Sequence, residues 1–453
     1  MPQQFPFPMY VLFDIRVIIE LLNLTYGEKE IMSVFDEFKW RGLIYDSTEG
    51  LEEVLSKEKI SAYIGFDPSG YSLHLGHLIP IIGLVHLQRY GHTPIPVAGG
   101  GTGLIGDPSG KDTERQLLSK EELAYNLENI KNQLSRFLDF DSKTNPAIMV
   151  NNADWLTTTP LTDFLRDIGK HFTVNNMLAK ESVKQRLNGD GISFTEFSYM
   201  LLQSFDYLTL YEKYNCTLQM GASDQWGNIT AGIDLIRRVH GAKAHCLVFP
   251  LLMSSSGMKF GKSSGADIWL DEKMTSPYKL YQYFINTEDA DVIRYMKIFS
   301  FLSEEEITGY EDEIQNRPEK REAHKKLAQD ITRLVHGDNA LAKAEEATKV
   351  LFGGRIENIG LDDLLEIFAA APSVEINKDE ISGNGMTLVD LVVTAGLAKS
   401  KGEARRTIEG GGMNLQNVRE NNVKRYVSVN DAIEGKALVL RKGQKDYRLV
   451  LVK

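Results

Sequence analysis

Cysteine is nearly missing from this chain: it has two in 453 residues, Cys216 and Cys246. That excludes a disulfide framework and the clustered spacing of a zinc site, and reads as two ordinary buried thiols in a reducing compartment. Also lacking is any apolar run of the roughly 18 residues a membrane span needs. No signal peptide is legible. MYVLFDIRVIIELLNL near the start is apolar, but Asp14, Arg16 and Glu20 interrupt it, and four acids against two bases in residues 1–31 do not suit a mitochondrial presequence. A second start-like methionine, Met32, precedes FDEFKWRGLIYDST, which reads as the first amphipathic helix, so residues 1–31 are expected to be an extension that is either dispensable or not translated. The rest points to a soluble, cytoplasmic, globular protein, long enough for two or three domains, with no dedicated metal site.

Positive charge is scarce overall, at a net −11, which argues at first against a nucleic-acid partner. The average hides an asymmetry. From Met386 to Lys453 there are 13 Lys and Arg against 7 Asp and Glu, a net +6, which leaves −17 for the remainder. A basic module on an acidic body is the expectation.

The body reads as α/β, a doubly wound Rossmann-like parallel sheet. ISAYIGF at 60–66 is a strand ended by the turn residues Asp67, Pro68, Ser69 and Gly70, with a helix expected from about Leu75 to Tyr90. TPIPVAGGGTGLIGDPSG is a second strand feeding a glycine loop. Ser119 and Glu122 then form a capping box for a helix to about Leu138. AIMV and LVF continue the alternation, which implies ligands at the carboxyl ends of the strands.

The glycine loop invites two misreadings. Gly101, Gly103 and Gly106 match G-x-G-x-x-G, so a dinucleotide-dependent dehydrogenase is a rival, but Asp107 and Pro108 delay the helix that should open there. GDPSGK imitates a phosphate-binding P-loop, yet position 105 is Ile and Lys111 is followed by Asp112.

His74-Leu75-Gly76-His77 is a better constellation. Two imidazoles three residues apart share one face at a helix start, where exposed N–H groups favour an anion, and Gly76 has no side chain to obstruct a nucleotide. Surface histidines or a metal corner fit those four residues as well. Downstream, Lys259-Phe260-Gly261-Lys262-Ser263 puts two lysines on a Gly- and Ser-rich loop that can close on pyrophosphate, although on its own such a motif is more often a solvated charged loop.

Together HLGH and KFGKS resemble the paired signature of class I aminoacyl-tRNA synthetases. YIGFDPS at 63–69, TGLIGDPSGK at 102–111, FLRDIGKHF at 164–172, ISFTEFSYMLLQSFD at 192–206 and SDQWGNITAG at 223–232 narrow the resemblance to the tyrosyl branch of bacterial type, over nearly the whole chain from Met32. Two positions depart from the pattern. Ala222 stands where a second glycine is expected before SDQ, adding a methyl where ribose should pack, and Pro80 sits in the first turns of the HLGH helix.

The resemblance implies that tyrosine is activated by ATP and passed to the 3′ end of a tRNA. Tyr63 and Asp206 would hydrogen-bond the substrate phenol, and Tyr199, Gln203 and Asp107 would hold its ammonium. Gly65, Asp67, His74, Gly76, His77, Asp224 and Lys262 would bind ATP, Asp224 at the ribose. His74, His77, Lys259 and Lys262 would act on the phosphates and departing pyrophosphate, with Lys111 and Arg115 joining from the other side. Magnesium would accompany ATP, with no tightly bound cofactor. The resemblance further implies a homodimer formed by a segment of the catalytic domain, 32–270.

A charged helical domain is expected over 271–352 and a connector over 353–385. At 386–453, TLVDLVVTAGLAKSKGEARRTIEGGG and two short strands resemble an S4-type RNA-binding domain. Lys399, Lys401, Arg405 and Arg406 would meet tRNA phosphates there, although a basic face can also be merely solvated. The turn Asn414-Leu415-Gln416-Asn417 leaves the strand register after GGG open. An inactive synthetase-like body serving as an RNA-binding module is the alternative from another class; the three intact sets of site residues argue against it.

Overall fold

The computed structural model describes residues 32–109, 118–189, 191–263, 266–351, 353–356, 359–369, 371–443 and 446–453. The extension 1–31, with Lys111 and Arg115, lies outside the described residues.

Six strands form the main sheet: β1 (Asp46–Ser47), β2 (Ser61–Phe66), β3 (Thr93–Ala98), β4 (Val150–Asn151), β5 (Cys216–Ala222) and β6 (His245–Phe249). Their order is β1-β6-β5-β2-β3-β4, and only β1 runs antiparallel to its neighbour. β2 reads SAYIGF because a parallel strand covered on both faces needs apolar residues in succession rather than alternation. The chain winds outward through β3 and β4, then returns to the other side of β2 with β5 and β6. This reversal between β2 and β5 opens a crevice at their carboxyl ends.

One face of the sheet is covered by the helix Leu78–Arg89. Its core continues without a break through Phe38, Phe249 and Phe284 to Leu327 and Ile331, so the helices after residue 271 are welded to the sheet. The other face is covered by the helices Phe194–Tyr214 and Trp226–His240, which pack Tyr207, Leu210 and Leu235 against Tyr63 and Ile95. Ser119 and Glu122 form the expected reciprocal cap, and the helix they start ends at Leu134 rather than Leu138. AIMV contributes only Val150 to the sheet, in a two-residue strand that Asn151 completes. β5 is a strand that the sequence reading passed over, since its CTLQMGA carries polar residues that tertiary contacts bury.

The C-terminal sheet corrects the connector. β7 (Ser373–Ile376), β8 (Met413–Leu415), β9 (Val418–Glu420), β10 (Ala437–Lys442) and β11 (Asp446–Val452) lie in the order β9-β8-β10-β11-β7. β7, from the stretch expected to be linker, pairs in parallel with β11. The acidic helix Leu361–Ile367 buries Leu364 and Ile367 with Val439 and Leu449 of this sheet. A four-residue strand reading SVEI has too little pattern to be seen before its partner is known. The open register at 414–417 resolves as a two-residue hairpin. Gln416 and Asn417 take φ of 50° and 60°, the primed turn whose twist suits paired strands, and Leu415 faces Val418.

Candidate active site

The crevice holds a cavity of about 440 Å³ lined by Tyr63, Gly65, Asp67, His74, Gly76, His77, Asp107, Tyr199, Gln203, Asp206, Asp224 and Lys259. These come from the ends of β2 and β5, the helix Phe194–Tyr214 and the two signature motifs, segments up to about 200 residues apart. Gly65 is the one exposed residue in the interior of β2, and a Cβ there would meet nothing within 4 Å, so the strand offers bare backbone to the cavity.

At the deep end, Asp206 is 4% exposed and accepts from Trp155 Nε1 at 2.7 Å and Asn152 Nδ2 at 2.9 Å. Burial pushes its carboxyl up to about 7, against those two donors, which favour the ionised form. Beside it the Tyr63 hydroxyl is buried with no hydrogen-bond partner, and burial together with the Asp206 charge holds its pKa well above the ordinary phenol value. An unpaired buried hydroxyl costs about 1–3 kcal/mol, so this end of the cavity is complementary to a polar group that can bond both residues.

Two polar chains run along the middle. Asp67 accepts from Thr102 Oγ1 at 2.6 Å and from Tyr199 Oη at 2.8 Å. A Cβ on Gly99 would collide with the Asp67 carboxylate and one on Gly101 with Leu156, so packing against the turn after β2 and the segment after β4 requires these glycines. Asp107 accepts from Gln225 Nε2 at 2.6 Å and from the Ser109 amide at 2.9 Å, and Gln203 Nε2 donates to Gln225 Oε1 at 3.2 Å. The buried Oε1 of Gln203 has no partner. The expected ammonium set is therefore brought together, with Tyr199 donating to the residue expected at ATP. Asp224, at the end of β5, has its pKa raised by burial and the nearby Asp107 charge and lowered by Lys259. Ala222 has ordinary extended backbone and lines the cavity.

At the outer end the two histidines form one unit, ring centroids 3.9 Å apart. His77 Nδ1 accepts from the His74 amide and His74 Nδ1 from the Gly76 amide, each at 3.1 Å. Both Nδ1 atoms being acceptors, a neutral ring carries its proton on Nε2, as a donor. A Cβ on Gly76 would come within 2.9 Å of the His74 ring, so the glycine serves the histidine cap as well as any ligand. Pro80 is the third residue of the helix, in the turn whose N–H groups have no intrahelical acceptor, and so does not disrupt it.

HLGH and KFGKS touch directly. Leu75 N donates to Ile268 O at 2.7 Å, His74 bridges to Trp269, and a Cβ on Gly261 would lie 3.2 Å from Leu75 Cβ. Phe260 is buried and stacks on Phe299 at 4.8 Å, so the loop is better anchored than its Gly and Ser content suggests. The two lysines diverge. Lys259 lines the cavity; Lys262 does not, because the ribbon formed by Lys262–Ser263 and Ala266–Asp267 sets it opposite Asp267, at 3.3 Å.

Asn152, Trp155, Thr102 and Gln225 escaped the sequence reading as individual residues. Asn152 and Trp155 follow directly on β4, a strand end where ligand contacts are expected, and that was the available signal.

Elsewhere, Leu161, Val174 and Phe194 are 72%, 60% and 80% exposed, with Leu165 and Leu187 also exposed, all between residues 161 and 194. In the C-terminal body Lys399, Lys401, Arg405 and Arg406 are exposed around the helix Lys401–Glu409, and Lys401 pairs with Asp390 at 2.6 Å.

Residues 55–353 match the family described as tRNA synthetases class I (W and Y), and residues 363–450 match the tyrosine–tRNA ligase SYY-like C-terminal domain. The chain is 53% identical over 419 residues to a tyrosine–tRNA ligase of Roseiflexus castenholzii, covering 92% of this chain and 99% of that one. It is 48% identical over 425 residues to tyrosine–tRNA ligase 1 of Bacillus subtilis, covering 93% and 100%. Among solved structures, a C-terminally truncated mitochondrial tyrosyl-tRNA synthetase of Aspergillus nidulans superposes with a TM-score of 0.65 at 30% identity, covering 71% of this chain and 94% of that one.

Proposed function

The chain belongs to the class I tRNA synthetases, in their tyrosyl branch, and from that premise we propose how its cavity divides the work of tyrosine–tRNA ligation. The activity has two steps: tyrosine and ATP give tyrosyl-adenylate and pyrophosphate, and the tyrosyl group then passes to tRNA.

The phenol of tyrosine enters the deep end and bonds Tyr63 and Asp206, which Trp155 and Asn152 hold in place. Its ammonium lies among Tyr199, Gln203 and Asp107, with Gln225 orienting the last two. ATP takes the outer end, over Gly65 and Gly76, with its ribose at Asp224. His74 and His77 donate to its phosphates, and Lys259 and Lys262 serve the leaving pyrophosphate. The tyrosine carboxylate, already ionised, attacks the α-phosphorus in line as the bond to pyrophosphate breaks. No protein base is required, so the residues act by positioning and by neutralising developing charge. Magnesium arrives on ATP. Asp67, Asp107 and Asp206 are each engaged by side-chain donors, which suits a metal held by the triphosphate rather than by a protein cage.

One observation carries the substrate choice: a buried carboxylate and an unpartnered buried hydroxyl side by side at the closed end of a nucleotide-sized cavity. Tyrosine-dependent exchange of pyrophosphate into ATP, followed by charging of tRNA, tests the whole assignment. No exchange with tyrosine, or equal exchange with phenylalanine, would overturn it.

The density of exposed large apolar side chains between 161 and 194 supports a homodimer through the catalytic body, which would take them out of water. The basic helix Lys401–Glu409 supports phosphate contacts from Lys399, Lys401, Arg405 and Arg406 to a tRNA that reaches across both subunits. The work is proposed to be cytoplasmic; among the described residues no helix is long and apolar enough to cross a membrane.

A further inference from the structure

The KFGKS loop is tied with unequal strength along its length. Its entry turn is held by a buried carboxylate. Asp291, 3% exposed, accepts from the Ser255 amide at 2.8 Å and Ser255 Oγ at 2.9 Å, and pairs with Arg294 at 2.8 Å. Phe260 adds its stack on Phe299. Past Gly261, whose amide donates to the Tyr283 hydroxyl at 3.0 Å, the exit ribbon is held at the surface by Lys262 and Asp267, whose side chains are 43% and 37% exposed. Of that pair only Asp267 lines the nucleotide cavity. Both line a second cavity, of about 640 Å³, together with Thr287 and Asp291, so the ribbon is not packed solid from beneath.

We propose that Asp267 is a positioning residue: in the free enzyme it holds Lys262 beside the path of the triphosphate and releases it when the phosphates of ATP arrive. The proposal rests on the reading of Lys262 as a phosphate ligand. An exposed pair of this kind contributes little, so a polyanion of higher charge displaces the single carboxylate. The Ser255–Asp291 anchor, desolvated and three times bonded, stays. The moving part is then the strand pair that carries Lys262 and Asp267, and the fixed part is the turn before it together with Gly261. The fraction of ATP-binding energy used to break the Lys262–Asp267 pair appears as a raised KM for ATP.

The test is tyrosine-dependent ATP–pyrophosphate exchange with the full chain, measuring KM for ATP and kcat separately. Asp267→Asn should lower KM for ATP about two- to five-fold at low salt, an effect that shrinks as salt rises, with little change in kcat. Asp267→Glu, which keeps the charge, should retain the parent KM. In a Lys262→Ala background Asp267→Asn should change nothing. An unchanged or higher KM in Asp267→Asn overturns the proposal, and so does an equal fall in both backgrounds, which would mean simple repulsion of ATP by a carboxylate. Exchange unaffected by Lys262→Ala would instead remove Lys262 from the phosphates and sink the underlying reading.

Discussion

Replacing Trp155 by phenylalanine removes chiefly one functional group, the indole Nε1–H that donates to Asp206 Oδ1 at 2.7 Å. The ring remains to fill the wall. A hydrogen bond to a charged acceptor is worth about 1.5–3 kcal/mol, and about 1.36 kcal/mol corresponds to one pH unit in a pKa. The donor favours the ionised carboxylate, so its loss raises a pKa that burial already holds at about 7. Tyrosine requires the ionised form, because its phenol must donate to Asp206. The direction follows: kcat/KM for tyrosine declines as pH falls through the Asp206 pKa, and the variant should reach that decline at higher pH. Its acidic limb should move up by roughly one to two pH units. At pH 7.5 the ionised fraction, and with it kcat/KM, falls about three- to twenty-five-fold, with recovery at higher pH. Tyrosine-dependent pyrophosphate exchange between pH 6 and 9.5 reads this directly. A profile lowered evenly at every pH, its limb unmoved, would refute the reasoning and reduce Trp155 to a wall of the pocket.

Tyr63→Phe should lower tyrosine activation modestly and relax discrimination against phenylalanine, while Asp206→Ala should cost more, since it removes the charged acceptor. Strong rejection of phenylalanine by tyrosyl-tRNA synthetase is a general example of such unpaired polar groups rather than a number obtained from this cavity; unchanged tyrosine-to-phenylalanine ratios in both variants would move the phenol elsewhere. Phe194→Glu should convert a dimer into a monomer in analytical ultracentrifugation at micromolar concentration, and an undisturbed dimer would place the interface on another surface. A chain ending near Gly353, cut there because β7 belongs to the C-terminal sheet, should keep pyrophosphate exchange and lose tRNA charging. Arg405→Ala with Arg406→Ala should weaken tRNA binding and flatten its dependence on salt, and binding insensitive to salt in the parent would remove the basic helix from the interface.

The nucleotide-binding fold and the family were legible in the residues themselves. β2 and its turn, the Ser119 capping box, HLGH and KFGKS are local patterns, set by side-chain periodicity, turn chemistry and spacing within about ten residues. Tyr63, Asp206, Tyr199 and Gln203 were named through the family resemblance; in the fold they line one cavity, Tyr63 from within β2 and the other three from one long helix. What local pattern could not reach was every contact between segments distant in the chain. That Trp155 and Asn152 serve Asp206, that Gln225 spans Asp107 and Gln203, and that β7 completes a sheet with β11 depend on strand order and packing. The two lysines show the division most plainly. Paired with HLGH they resembled a phosphate loop, yet only the cross-strand pairing with Asp267 decided which way Lys262 points, because a charged side chain on a short ribbon goes to the opposite charge that the fold places across from it.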